Sequence, residues 1–199
     1  MNKEKLDYQK YSKYNRDQIV AKLKDTLKDK RFQHCLRVED TAIDLAKRFD
    51  VDPTLAGLSG LVHDYAKQRP DSEFIDIIKS HHLNPELLNY GRSIWHGYVG
   101  YLIVESELGI HDNRILNAIK YHTIGSPYMD KIAQITYMAD YIEPGREFDG
   151  VDEARKITRQ NLWDGVKYQT KSTISYLANN GKAIYPGAIS TFNVIVAGK

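Results

Sequence analysis

Cysteine is almost absent: Cys35 stands alone in 199 residues. No disulfide can form within the chain, and a structural zinc site of clustered thiolates is excluded. Long hydrophobic runs are missing too, as are a secretory apolar core and an Arg-rich transit segment. These absences exclude a membrane span and make the cytoplasm the expected compartment. Charge of one sign is not in excess either: 28 Lys and Arg against 26 Asp and Glu leave +2, which argues against nucleic acid as the main partner. No internal repeat, low-complexity tract or Pro/Gly/Ser-rich linker divides the chain. With 42% hydrophobic residues, a chain of this size buries about 70% of its unfolded surface, so one globular domain is expected.

Residues 1–15 interleave Lys3, Lys5, Lys10 and Lys13 with Tyr8, Tyr11 and Tyr14 and carry no apolar repeat. They read as a loosely attached polar arm on a domain spanning 16–199. From there the apolar residues recur at three and four, and caps, Gly or Pro punctuate each stretch. Asn15 precedes Ile19 to Leu27, and Cys35 to Phe49 forms a second stretch. Asp52-Pro53 opens a helix that runs through Val62, ends before Pro70 and, where it continues, puts Lys67 on the face of His63; the same punctuation recurs at Asn84-Pro85, Ser126-Pro127 and Tyr185-Pro186. Ser93 precedes a long stretch, Ile94 to Leu108, stopped by Gly109. Asp112 precedes Ile115 to Ile119, and further helices run through Ile132 to Ile142, Leu162 to Leu177 and Ile189 to Val196. The pattern is all-helical.

The histidines carry the chemistry. His34 shares a face with Val38, Thr41 and Leu45; His96 with Val99, Gly100 and Ile103; His122 with Ile115, Ala118 and Ile119. His63 and Asp64 adjoin near the end of an apolar helix, and Asp140 lies among Ile135 to Ile142, where an unpaired carboxylate is costly. Any one of these histidines alone reads as a hydrogen-bonded core residue. Four of them with two aspartates from separate helices are satisfied together by a shared metal, and imidazole with carboxylate suits Fe, Mn, Ni or Zn. His81, His82 and His111 sit in polar contexts and read as surface residues.

His34, then His63-Asp64, His96, His122 and Asp140 follow one another in steps of 29, 32, 26 and 18 residues, an arrangement that resembles the HD-domain metal-dependent phosphohydrolases. Their surroundings are more specific: Arg31-Phe32-x-His34, Gly60-Leu61-Val62-His63-Asp64-Tyr65-Ala66-Lys67, Tyr121-His122-Thr123-x-Gly125 and Ala139-Asp140-Tyr141-Ile142-Glu143-Pro144-x-Arg146. Together they resemble the YqeK family, bacterial HD-domain hydrolases that split diadenosine tetraphosphate symmetrically into two ADP. The resemblance covers about Asp17 to Val196. Arg37 is a departure, standing where that family is expected to carry a small residue; at that helix position it reads as facing solvent.

The resemblance implies an all-α HD-domain helical bundle holding two metal ions, iron being the family's usual metal. His34, His63, Asp64 and Asp140 would hold one, with Asp64 bridging to a second held by His96 and His122. Such a pair activates water and clamps a phosphoryl group without a covalent intermediate. Asp64 and Lys67 are the implied catalytic residues, and Lys67, Thr123 and Arg146 the implied substrate contacts. From spacing alone Lys67 reads equally as a solvated helix-end lysine, Arg146 as a surface residue and Thr123-x-Gly125 as a helix stop. Trp95, Tyr98, Tyr101, Tyr128 and Tyr141 offer aromatic faces for adenine or for packing, and Val151 to Tyr176 suits packing or a homodimer surface. The partner implied is a small-molecule nucleotide. Two alternatives stand beside this reading: an HD-domain hydrolase of nucleoside mono-, di- or triphosphates, and a non-catalytic nucleotide- or RNA-binding regulator.

Overall fold

The computed structural model describes residues 6–199 and contains, among them, helices and no strand. In chain order these are α1 (Arg16–Thr26), α2 (Asp29–Arg48), α3 (Pro53–Val62), α4 (Asp71–Ser80), α5 (Arg92–Tyr98), α6 (Gly100–Leu108), α7 (Asn113–Tyr121), α8 (Lys131–Ile142), α9 (Val151–Gln160), α10 (Leu162–Asn179) and α11 (Pro186–Ile195), with single 3-10 turns at Tyr8–Lys10 and Pro85–Asn89. Helices α2, α3, α7 and α8 pack on one another as a central bundle, while α10 joins α8, α9 and α11 on its flank. None of the helices is long and apolar enough to cross a membrane.

The apolar stripes read from the sequence face this bundle. Val38, Ala42 and Leu45 of α2 meet Leu58, Leu61 and Val62 of α3, and Ile115, Ala118 and Ile119 of α7 meet Ile135, Met138 and Ala139 of α8; all are buried. Each large side chain among them contributes at most about 1.5–3 kcal/mol. Gly60 brings α3 against the α2 backbone: a Cβ there would lie 3.0 Å from Val38 O and from Ala42 Cβ. Caps fall largely where the punctuation puts them. Asn15 forms a reciprocal capping box with Gln18, Asp52 accepts from Thr54 N ahead of Pro53, Asp112 accepts from Arg114 N, and Gly109 ends α6 with φ 61°.

Three local expectations are corrected, and one helix is added that the sequence pattern did not mark. The single helix expected over Ile94 to Leu108 breaks at Val99 into α5 and α6. Gly97 lets α5 press on α7, since a Cβ would fall 2.9 Å from Ile119 O, and Gly100 lets α6 press on Ala66. Ser126-Pro127 opens a turn, and α8 starts later, capped by Asp130. Val151–Gln160, which carries no chemistry in sequence, is helix α9. The described part of the arm is packed rather than loose. Tyr8 is buried and donates to Glu39 Oε1 at 2.8 Å, Ser12 Oγ donates to Leu108 O at 2.7 Å, and Arg16 grips Glu39 with two nitrogens. A buried carboxylate on α2 needs those donors, and the partners are too far apart in sequence for any local pattern to show them. Lys3 and Lys5 lie outside the described residues.

Candidate functional site

Three of the four inward histidines sit in or just past the last turn of a helix, and for His63 and His122 the carbonyl they meet is one of those left without a helical partner. His63 follows α3 and donates Nδ1–H to Gly60 O at 2.7 Å; His122 follows α7 and donates to Ile119 O at 2.6 Å; His96, in the last turn of α5, donates to Arg92 O at 2.5 Å. The fourth, His34 near the start of α2, donates Nδ1–H to Glu143 Oε1 at 3.0 Å. Carbonyls and carboxylates only accept, so Nδ1 carries the proton in all four rings and each Nε2 lone pair points inward. These nitrogens converge in pairs: His34 and His63 Nε2 are 3.3 Å apart, His96 and His122 Nε2 3.0 Å.

Asp64 lies between the pairs. Its Oδ2 is 3.8 Å from His34 Nε2 and 3.4 Å from His63 Nε2, while its Oδ1 is 3.2 Å from His96 Nε2 and 3.6 Å from His122 Nε2. One carboxylate thus faces two imidazole pairs with different oxygens. Asp140, from α8, approaches the first pair, with Oδ1 3.0 Å from His34 Nε2 and 3.6 Å from His63 Nε2. Donor atoms within 4.8 Å of one another form three overlapping groups: His34, His63 and Asp64; His63, His122 and Asp140; and Asp64, His96 and His122. The six residues expected from the sequence are therefore together in space.

The donor set fits metal ions. Asp64 Oδ1 is buried without a hydrogen-bond partner, and paired lone pairs about 3 Å apart are the arrangement that ligands at about 2.1 Å from a shared cation adopt near a right angle. Ionisation differs between the pairs. Burial pulls His63 down, yet Asp64 and Asp140 outweigh it and raise its pKa to about 9, so without a metal ion its Nε2 holds a proton that a bound cation would displace. Burial leaves His96 at about 4 and moves His122 downward, so these two are neutral imidazoles at pH 7. Burial opposes ionisation of both carboxylates, but His63 and Lys67 hold Asp64, and His34, His63 and Arg146 hold Asp140, well below the usual range. Three helix C-termini add negative dipole ends around the same point.

Cations ring the centre. The Lys67 ammonium is 2.9 Å from His96 Nε2 and 3.9 Å from Asp64 Oδ1. It arrives from the turn after α3, because the helix stops at Val62 and does not continue to Lys67 as expected. Arg31 Nη1 donates to Asp64 Oδ2 at 2.6 Å, and Arg146 donates to Asp140 through Nη2 and to Asp140 O through Nε at 2.8 Å. Thr123, next to His122, has a buried, unpartnered hydroxyl. It lines a cavity of about 620 Å³ with Tyr90, Ile94, Tyr137, Ile174 and Tyr185. On the His34 side lies a groove of about 300 Å³, lined by Lys28, Lys30, Arg31, Arg37 and Arg146 among others. Residues 31–145 match the HD domain family.

The chain belongs to the HD-domain family. The matched HD segment contains all six clustered His and Asp residues, and Arg146 lies one residue beyond it. The relatives put the chain in the YqeK-type branch of HD hydrolases that its motifs resemble. A Bacillus subtilis protein named symmetrical bis(5'-nucleosyl)-tetraphosphatase is 39% identical over 92% of this chain and 99% of its own length. A Halalkalibacterium halodurans protein of the same name is 36% identical over 92% and 97%. The fold is shared with the crystal structure of a Clostridium acetobutylicum protein described as a predicted HD superfamily hydrolase involved in NAD metabolism. That structure has a TM-score of 0.88 and 36% identity, covering 94% of this chain and 99% of that one.

Sequence reasoning missed two residues of the HD site. Glu143, within the quoted Ala-Asp-Tyr-Ile-Glu-Pro segment, received no role, yet its Oε1 orients His34. Arg37 does not simply face solvent: its Nε donates to Glu143 Oε2 at 2.5 Å and its Nη2 to Oε1 at 3.2 Å. The signal was Glu143 itself, an acid closing an apolar helix. His81, His82 and His111 are exposed, as read.

Proposed function

We propose that this protein is a symmetrical bis(5'-nucleosyl)-tetraphosphatase that hydrolyses diadenosine tetraphosphate to two ADP. The observation that carries the reading is Asp64, whose two oxygens face two separate histidine pairs. The name shared by relatives alignable over nine-tenths of the chain supports the bond cleaved. We assign His34, His63, Asp64 and Asp140 to one metal ion and Asp64, His96 and His122 to a second, with iron taken from the family resemblance and Mn, Ni or Zn also suited to these donors. Two bound cations supply activation of water at neutral pH and neutralisation of phosphoryl charge.

The chain's own residues do the rest. One nucleoside enters the cavity of Tyr90, Ile94, Tyr137 and Tyr185, whose size and apolar lining suit a ligand of that class. Thr123 offers its unpartnered hydroxyl there. Its neighbour His122 sets the cavity beside the centre, so the inner phosphates of that nucleotide fall next to Asp64. Lys67, lowered in pKa by burial, and Arg146 hold phosphate oxygens while charge builds on them. ADP leaves as an anion, so a nearby cation suffices to stabilise it and no covalent enzyme intermediate is needed. The catalytic unit in this reading is residues 16–199, and the buried thiol Cys35 suits the cytoplasm. Protein purified without added metal, analysed for its elements and incubated with diadenosine tetraphosphate, tests it. About two metal ions per chain and ADP as sole nucleotide product are expected; ATP plus AMP would refute it.

A further inference from the structure

The two openings beside the centre differ in chemistry. The cavity lined by Thr123, next to His122, is walled largely by aromatic and aliphatic side chains, among them Tyr137 and Tyr185, with Ser93, Thr170 and Lys182 as polar lining. The groove on the His34 side has no Phe, Tyr or Trp: Lys28, Lys30, Arg31, Arg37 and Arg146 line it with Gln68 and with the His34 ring, whose nitrogens face Glu143 and the histidine centre, and its one carboxylate, Glu143, is already engaged by His34, Arg37 and Gly145 N. The arginines are held in place yet not exhausted. Arg31 uses Nη1, Arg37 uses Nε and Nη2, and Arg146 uses Nε and Nη2 in the hydrogen bonds described. Each therefore keeps donors for a phosphate oxygen. Lys28 and Lys30 are exposed at its rim, where an ammonium acts as a point charge on phosphate.

We propose that this groove binds the departing half of the substrate through its phosphates alone, so that the substrate class is adenosine tetraphosphates bearing any group, or none, on the far phosphate. The inference deepens the tetraphosphatase reading and rests on it. One nucleoside is read in the apolar cavity, and the inner phosphates lie at the histidine centre. The far diphosphate lies along a surface that offers charge and hydrogen bonds but no Phe, Tyr or Trp for a second base to stack on, its one ring being that of His34 at the centre itself. Hydrolysis then needs no second nucleoside. Water's oxygen bonds to an inner phosphorus, the bond from that phosphorus to the central bridging oxygen breaks, the bridging oxygen keeps the electron pair and leaves with the far diphosphate, and one water proton is released. From adenosine 5'-tetraphosphate the products are ADP and pyrophosphate.

The test compares diadenosine tetraphosphate with adenosine 5'-tetraphosphate on the metal-loaded, full-length protein. The expected kcat/KM values agree within about tenfold, with ADP and pyrophosphate as products of the second substrate. The double substitution Lys28→Ala with Lys30→Ala should raise KM about fivefold for both substrates alike and flatten the dependence of KM on salt, as loss of an exposed cationic rim does. Cleavage of the dinucleotide to two ADP with adenosine tetraphosphate more than tenfold slower overturns the proposal and leaves the tetraphosphatase reading standing. An unchanged KM and salt dependence in the double variant also overturns it. Failure to cleave either substrate overturns the underlying reading itself.

Discussion

His96 Nε2 lies 3.0 Å from His122 Nε2, and both rings have spent their only N–H on main-chain carbonyls. Two lone pairs therefore face each other in a buried space, with a buried Asp64 oxygen beside them. Burial holds His96 at about 4 and lowers His122, so protonation does not relieve the repulsion at neutral pH. A cation does.

That relationship predicts an asymmetric loss on substitution. His122→Ala should remove about one metal ion per chain and leave the ion on the His34 side, because His34, His63 and Asp140 are untouched. Turnover should fall by about a hundredfold or more with loss of electrostatic stabilisation at the inner phosphates. Elemental analysis of the purified variant decides it: two ions retained would show that His122 is a core residue.

Asp64 and Lys67 should separate metal holding from phosphate holding. Asp64→Ala removes the one group that faces both histidine pairs, so metal content and turnover should fall together. Lys67 approaches the same point from the following turn but offers no lone pair while charged. Lys67→Ala should keep the metal ions and lose about a hundredfold in turnover. Loss of metal from the Lys67 variant would assign that side chain a role in building the centre instead.

The ligand set was legible in the sequence because the histidines sit beside apolar stripes of helical period. His34 and His122 point inward with Val38 and Ile119, whereas the stripe read for His96 through Val99 is interrupted by the break between α5 and α6, and His96 is buried by α5 alone. The arrangement around them was not. Glu143 meets His34 across 109 residues, and Tyr8 meets Glu39 across 31; no local pattern encodes contacts between elements so distant along the chain. The break at Val99 was hidden for a different reason. Gly97 and Gly100 lie inside a good helical pattern, and only the close approach of α7 and Ala66 shows why the helix is interrupted there.

Glu143 predicts a pH dependence. Burial opposes its charge, but Arg37, His34 and the Gly145 N–H lower its pKa from 4.5 to about 2. A carboxyl with a depressed folded-state pKa contributes stability that is present above its unfolded value and lost as pH falls through the folded one. In chelator-treated protein, Glu143→Gln should therefore lower the urea midpoint most above about pH 4.5, and the difference from wild type should close toward pH 2. A difference constant across that window would mean that the charge of Glu143 is not what stabilises the fold.

Thr123 allows function and stability to be pulled apart. Its hydroxyl is buried, makes no hydrogen bond and lines the apolar cavity one residue after His122. A buried unsatisfied hydroxyl costs about 1–3 kcal/mol, so Thr123→Val, which replaces it with a methyl group of similar shape, should leave stability unchanged or raise it. If the hydroxyl is kept for the nucleotide, the same substitution should raise KM by about tenfold, the worth of one hydrogen bond. Opposite signs in the urea midpoint and in affinity are the signature of a group retained for a ligand. A stabilised variant with unchanged KM would show that Thr123 serves neither binding nor folding.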